Sequence, residues 1–209
     1  FEPIILLSAS TAMLAVHPSL PVRTLKELLA LANAKRGTLN YGTAGIGSNP
    51  HVAGELFNLL AKVNTVAVHF KGGAPALIAV MGGEISLVYN ATAGAVPHVR
   101  AGRIRAIAVT GTQRAGTLPD VPTIAEAGLP GYEFQAWHVM VAPKGTPKQI
   151  IGLLNDRIKA ALKSPELIQR FKQDDLEIIG ATSEETSTFV AAEVKKWSRV
   201  VKERGMRAE

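Results

Sequence analysis

The chain has 209 residues, 47% of them hydrophobic, enough to bury a sizeable core in one large domain or two small lobes. Cysteine is absent, which excludes disulfides and thiol chemistry. The formal charge of +6 arises from scattered Lys and Arg whose densest runs, Lys195-Lys196 and Lys202 to Arg207, carry no interleaved aromatics, so no nucleic-acid partner is expected and steering of small anions is.

In chain order, Ile4 to Leu7 reads as a buried strand and Met13 to Val16 as a second, ended by His17-Pro18 and Pro21. The apolar stretch Pro3 to Val16 is interrupted by Ser8, Ser10 and Thr11 and falls short of the ~20 residues of a membrane-spanning helix. The chain opens Phe-Glu-Pro without an initiator Met, basic region or cleavage site. It is therefore expected to begin inside a fold, with any targeting signal removed or never included. Thr24 caps a helix with Leu25, Leu28, Leu29 and Ala32 on one face, and Gly37 stops it.

One unit then repeats three times: a short apolar run, a loop of small residues, a helix. The first comprises Leu39 to Tyr41, a glycine loop, and a helix from Pro50 to about Ala61. The second comprises Thr65 to Phe70, the turn Lys71-Gly72-Gly73, and a helix from Ala74 to Met81. The third comprises Ile85 to Val88, a loop Tyr89 to Gly94, and a helix from Ala95 to about Ala101. A strand, Ile104 to Thr110, closes the set. The alternation predicts an α/β fold with parallel pairing, its loops gathered along one sheet edge where ligands bind.

The turn-rich stretch GTLPDVPTIAEAGLPGY surrounds one short helix capped by Thr123 and is the best boundary candidate. A strand, Phe134 to Ala142, and three helices follow. Thr146-Pro147 with Gln149 reads as a capping box, Ser164-Pro165 as a cap with proline, and Thr182 with Glu185 as the start of the last helix.

The loop in LNYGTAGIGSNPHVAGELF carries Gly42, Gly45 and Gly47. Gly42 and Gly47 have phosphate-loop spacing, but Ser48 and Asn49 stand where Lys and Ser/Thr belong, and Pro50 stands where a dinucleotide fingerprint needs its third glycine. Two readings stay open. The uncovered N–H groups at the helix start form an anion site, or the glycines only allow positive φ and tight strand-to-helix packing. His51 and Glu55, four apart, lack a third metal ligand, and His17, His69, His98 and His138 show no metal spacing. Ser48 lies outside a nucleophile-elbow motif, and Asp174-Asp175 and Glu184-Glu185 read as solvated charges rather than paired catalysts. Lys71 is a surface charge or a charge at the crevice mouth. Asn90 and Thr92 offer strand-end donors or turn caps, and Trp137 and Trp197 read as packing residues.

The ordered motifs NYGTAGIGSNPHVAGELF, VHFKGGAPALIAVMGGEISLVY, PHVRAGRIRAIAVT, LPDVPTIAEAGLPGYE and APKGTP resemble the Bug family, the periplasmic solute-binding receptors of tripartite tricarboxylate transporters. The resemblance covers essentially the whole chain. It implies a two-lobed α/β clamshell of the type II, Venus-flytrap, periplasmic-binding-protein class. Residues 12–131 would form one complete lobe, and 1–11 with 132–209 a partial one, hinged near Ser10 to Met13 and Gly131 to Phe134. The matching loop positions are Tyr41, Gly42, Thr43, Gly45, Gly47, Ser48 and His51. On this resemblance the Thr43 and Ser48 hydroxyls and the N–H groups near Ala44, Gly47 and Ser48 hold one carboxylate, and Asn90, Ala91 and Thr92 form another pocket-facing segment.

The same resemblance implies a small organic carboxylate ligand and delivery to a membrane permease. It also implies a monomer in the periplasm, with no catalysis, cofactor, metal or nucleic acid. Family members carry FEPIILLSAS well inside the chain, after a loop that supplies the other half of the carboxylate grip. The chain is accordingly expected to be a fragment with unpaired sheet edges. Alternatives are an effector-sensing clamshell of a transcription regulator, an enzyme on the same scaffold, or a truncated fragment that binds nothing.

Overall fold

Ser8, Ser10 and Thr11 do not break the first strand. In the computed structural model, which describes residues 1–206, β1 runs from Glu2 to Val16 as one element where the sequence suggests two. Pairing on its flanks carries it through the polar residues. Ser8 to Ser10 face β7 (Leu176–Ile178), while Ala12 to Val16 lie between β4 (Leu87–Ala91) and β5 (Arg105–Val109). The polar side chains find partners too: Ser8 Oγ lies 3.0 Å from His138 Nδ1, and the Ser10 hydroxyl donates to the Ala136 carbonyl at 3.4 Å.

The chain divides into two compact units, Phe1–Ser10 with Ala136–Arg199, and Thr11–Gln135 with the stretch that starts at Val200. In the first, β1 pairs with β6 (Gln135–Ala142) and β7, and α5 (Lys148–Leu162), α6 (Pro165–Gln173) and α7 (Ser183–Arg204) follow in the chain. Ile4, Ile5, Ala142, Ile151 and Leu162 form its core. Ser164 caps α6 through the Leu167 amide, and Thr182 and Glu185 bond each other's amides at the start of α7, as their spacing predicts. The expected capping box at Thr146 does not form. Pro147 takes the cap position of α5, and the Thr146 hydroxyl donates to the Pro143 carbonyl instead, closing its own turn. The strand β7 went unread because three residues after Asp174-Asp175 are too short to show a period.

In the second unit, α1 (Leu25–Ala34) has the full capping box of Thr24 and Glu27. Then come β2 (Asn40–Thr43), α2 (Asn49–Ala61), β3 (Val66–His69), α3 (Gly73–Met81), β4, α4 (Thr92–Arg100) and β5. The sheet order is β3-β2-β4-β1-β5, with β2 parallel to both β3 and β4. Parallel pairing does not extend across the sheet. β1 inserts between β4 and β5 and runs antiparallel to both, so the crossover through α4 skips a position. The third repeat also differs from its reading. Tyr89 and Asn90 extend β4, and Thr92 already begins α4, leaving no loop from Tyr89 to Gly94. Thr123 and Glu126 exchange the two bonds of a capping box, but the segment is a run of turns rather than a helix.

Met13, Ala15, Leu77, Val80, Val88, Ile104 and Val109 belong to this unit's core. Beside it, Tyr41 meets Tyr89 edge-to-face with centroids 5.8 Å apart, and Phe57 meets Tyr132 at 6.3 Å. The Tyr89 hydroxyl is buried without a hydrogen-bond partner among the described residues. Such a group keeps its desolvation cost without the bond that normally offsets it. Tyr89→Phe is therefore expected to leave stability unchanged or raise it by up to about 1 kcal/mol in urea unfolding; a loss of that size would contradict an unpaired hydroxyl.

Candidate functional site

The parallel set β3-β2-β4 brings the starts of α2, α3 and α4 to one edge of the sheet, because each helix follows the C-terminal end of its strand. None of these three helices has a side-chain hydrogen bond at its N-cap, whereas α1 and α6 do. Uncapped first turns leave N–H groups and the positive ends of helix dipoles directed at that edge.

The glycine loop sits at this edge. Gly42 answers the packing reading, since a Cβ there would stand 2.6 Å from Ile85 Cδ1 and 2.9 Å from Ala76 Cβ. Gly45 and Gly47 differ. Their φ values of 116° and 73° need glycine, yet a Cβ on either would meet nothing within 4 Å. Space therefore lies open above the loop, as an approaching ligand requires.

The structure brings Thr43, Ala44, Gly47 and Ser48 together through the loop's own hydrogen bonds. The Ala44 amide donates to Ser48 Oγ at 3.2 Å, and Ser48 Oγ donates to the Gly45 carbonyl at 2.6 Å. The Gly47 amide donates to His51 Nδ1 at 3.0 Å. Thr43, fully buried, accepts from the Gly45 amide and lies 2.7 Å from His69 Nδ1. The amides of Asn49 and His51, in the first turn of α2, have no partner among the described residues. Asn90 sits on β4, where its side chain donates to the Gly73 carbonyl at 3.2 Å and ties the start of α3 to the strand end. Ala91 is exposed at the N-cap of α4, and Thr92, buried, directs its hydroxyl to the Thr11 carbonyl at 3.4 Å.

Two histidine rings brace the loop, and the sequence reading missed both roles. By sequence His51 is a weak metal-ligand candidate and a loop position matching the family motif, with no bracing role assigned, and His69 is one of four scattered histidines. The signal for His69 is register: β2 and β3 pair in parallel with Thr43 opposite His69. The rings of His51 and His69 meet edge-to-face at 4.9 Å. Burial holds the His51 pKa below its ordinary value, opposed by Glu55 and reinforced by His69.

Glu55 is engaged on both oxygens. Tyr41 donates its hydroxyl to one at 2.8 Å, and Arg204 of α7 donates to the other at 2.5 Å. Burial first, then Glu55, raises the Tyr41 pKa far above its ordinary value, so the phenol stays a donor. Arg204 also lines a concavity of about 280 Å³ with Arg36, Asn58, Lys62 and Asn64, but the Asn58 side chain is fully engaged with Thr65. Lys71 is exposed. Trp137 and Trp197 both donate to Glu193 Oε2, at 3.0 and 2.7 Å, which makes them packing partners within their own unit.

The family model of the tripartite tricarboxylate transporter family receptor matches residues 1–206. The chain belongs to this family. BugT of Bordetella pertussis strain Tohama I is 32% identical over 203 residues, covering 97% of this chain and 62% of BugT. The R. palustris protein Rpa4515, solved with adipate, is 35% identical with a TM-score of 0.86, covering 99% of this chain and 69% of that one. MatC from Rhodopseudomonas palustris, with bound malate, is 31% identical with a TM-score of 0.84, covering 96% and 69%. The chain spans 61 to 62% of the length of the first two curated relatives it matches. Its fold class is that of periplasmic binding protein BugD, at a TM-score of 0.85 and 31% identity. Among the described residues of this family member, no helix is long and apolar enough to cross a membrane.

Proposed function

We propose that the protein is an extracytoplasmic receptor that captures a small organic carboxylate and passes it to a tripartite tricarboxylate-type permease. The observation that carries the reading is the convergence of three uncapped helix starts and a glycine loop, open above, on one sheet edge. That edge supplies N–H groups and dipole ends, an arrangement suited to a carboxylate. Thr43, Ala44, Gly47 and Ser48 form the cradle, with Asn90, Ala91 and Thr92 beside it. Their internal bonds preorganise the loop; the bound anion takes the Ala44 and Ser48 donors in exchange and adds the free amides of Asn49 and His51. The protein performs no chemistry in this role and works in the periplasm as a monomer. The adipate and malate held by Rpa4515 and MatC fit this class of ligand.

Calorimetric titration with adipate, malate and a panel of other di- and tricarboxylates tests the proposal. A binder present at a hundred times its Kd should stabilise the fold by about 2.7 kcal/mol. Gly47→Val forces a β-branched residue into φ 73° and should weaken carboxylate binding at least about tenfold. Undiminished affinity in that variant would remove the cradle from the reading.

A further inference from the structure

The inference concerns the regulation of the same site and rests on the receptor reading. The Gly47 amide donates to His51 Nδ1 at 3.0 Å. A ring nitrogen that accepts an N–H bond carries no proton of its own, so the contact exists only for the neutral imidazole protonated at Nε2. Adding the second proton would set N–H against N–H and replace attraction with repulsion. The loop is thus held at both ends by imidazoles in mutual edge-to-face contact, Thr43 by His69 and Gly47 by His51. His51 is 7% exposed, and its ring packs edge-to-face on His69 at 4.9 Å.

We propose that His51 is a positioning residue of the glycine loop, competent only as the neutral imidazole, so that carboxylate capture by this loop weakens when His51 takes up a proton.

The titratable and charged groups facing His51 come from four elements. Glu55 lies one turn along α2 and favours the cation; His69, at the end of β3, opposes it. Tyr41 of β2 places its hydroxyl 3.4 Å from the His51 carbonyl and 2.8 Å from Glu55, and Arg204 of α7 neutralises Glu55. Burial outweighs Glu55 and keeps the folded-state value below the ordinary one. As pH falls below about 6.5 the unfolded chain protonates first. The stabilisation from this contact is therefore complete above that pH and is lost as pH falls through the folded-state value.

Nitrogen-15 NMR on the whole chain reads the ring and the amide directly. At about pH 7.5, Nδ1 of His51 should show the shift of an unprotonated nitrogen, with the Gly47 amide protected. On acidification below about 6.5 the ring should protonate, and Gly47 exchange, corrected for its intrinsic rate, should rise about tenfold, as loss of one hydrogen bond implies. His51→Asn sets a non-titrating carbonyl oxygen near the Nδ1 position and should make that protection independent of pH. His51→Ala should abolish it throughout. Adipate affinity should fall with the wild-type ring titration and stay level in His51→Asn.

A proton on Nδ1 at neutral pH, Gly47 protection untouched by His51→Ala, or a wild-type pH response in His51→Asn would each overturn the proposal. Failure of adipate and malate to bind at any pH would overturn the receptor reading and with it the gating of capture, while the Gly47 signal still decides whether His51 positions the loop.

Discussion

Gly54→Ala is expected to destabilise the protein by about 3 kcal/mol, the upper part of the usual range for overpacking a core. Gly54 lies inside α2 with its face against the ring of Tyr41. A Cβ there would overlap the ring carbons Cε2 and Cζ and stand 2.8 Å from Cδ2. Tyr41 is fully buried, and its hydroxyl is held by Glu55, so the ring has nowhere to swing. Either α2 shifts outward, carrying the glycine loop with it, or the bond to Glu55 breaks. Gly152→Ala supplies the contrast. That glycine lies inside α5 with nothing within 4 Å of a built Cβ, so the same substitution should stabilise by about 0.5–1 kcal/mol through helix propensity. Urea unfolding of the two variants checks both signs. Equal and small effects would show that α2 packs on Tyr41 with room for a methyl group.

Glu55→Ala is expected to cost about 3 kcal/mol, because it leaves two groups without their partner. The Tyr41 hydroxyl is buried, and the Arg204 side chain is 27% exposed against a carboxylate that is 10% exposed. Breaking one side of a largely buried pair costs more than the pair contributes, since the remaining charge stays desolvated. Glu55→Gln keeps an acceptor for Tyr41 and should cost less than Glu55→Ala. Hydrogen exchange adds a local reading. The end of α7, from Val200 to Arg204, is tied to α2 by this pair and should lose protection in both variants. Retention of wild-type stability and exchange in Glu55→Ala would mean that the pair holds nothing.

Much of the fold was legible because its signals are local. Thr24 with Glu27, Ser164 with Pro165 and Thr182 with Glu185 announce helix starts through bonds that reach three residues. The apolar positions Leu25, Leu28 and Ala32 mark a buried face by the helical period alone. Gly45 and Gly47 announced backbone freedom, and the structure gives both a positive φ. The loop's place at a strand-to-helix junction, ahead of a proline-started helix, followed from the same local reading.

The misreadings cluster where distant chain decides. The serines of β1 look like a break until their partners, His138 and the neighbouring strands, arrive from elsewhere in the chain. Asn90 looks like a loop residue because asparagine favours turns, but its backbone pairs with Met13 and its side chain with Gly73. Thr146 is the local exception: it obeys the capping pattern, but the Pro143 carbonyl three residues back takes its hydroxyl.

By itself the sequence determined the alternation of strands and helices, the conformational demands of its glycines, the absence of thiol chemistry and the ordered motifs of its family. Tertiary structure decided the antiparallel insertion of β1, the bracing of the loop by His51 and His69, and the tie from Glu55 to Arg204. The physical reason is reach. Propensity and capping act over a few residues, whereas the Thr43–His69 contact spans 26 positions and the Arg204–Glu55 contact 149, so both exist only once register and packing have brought the partners together.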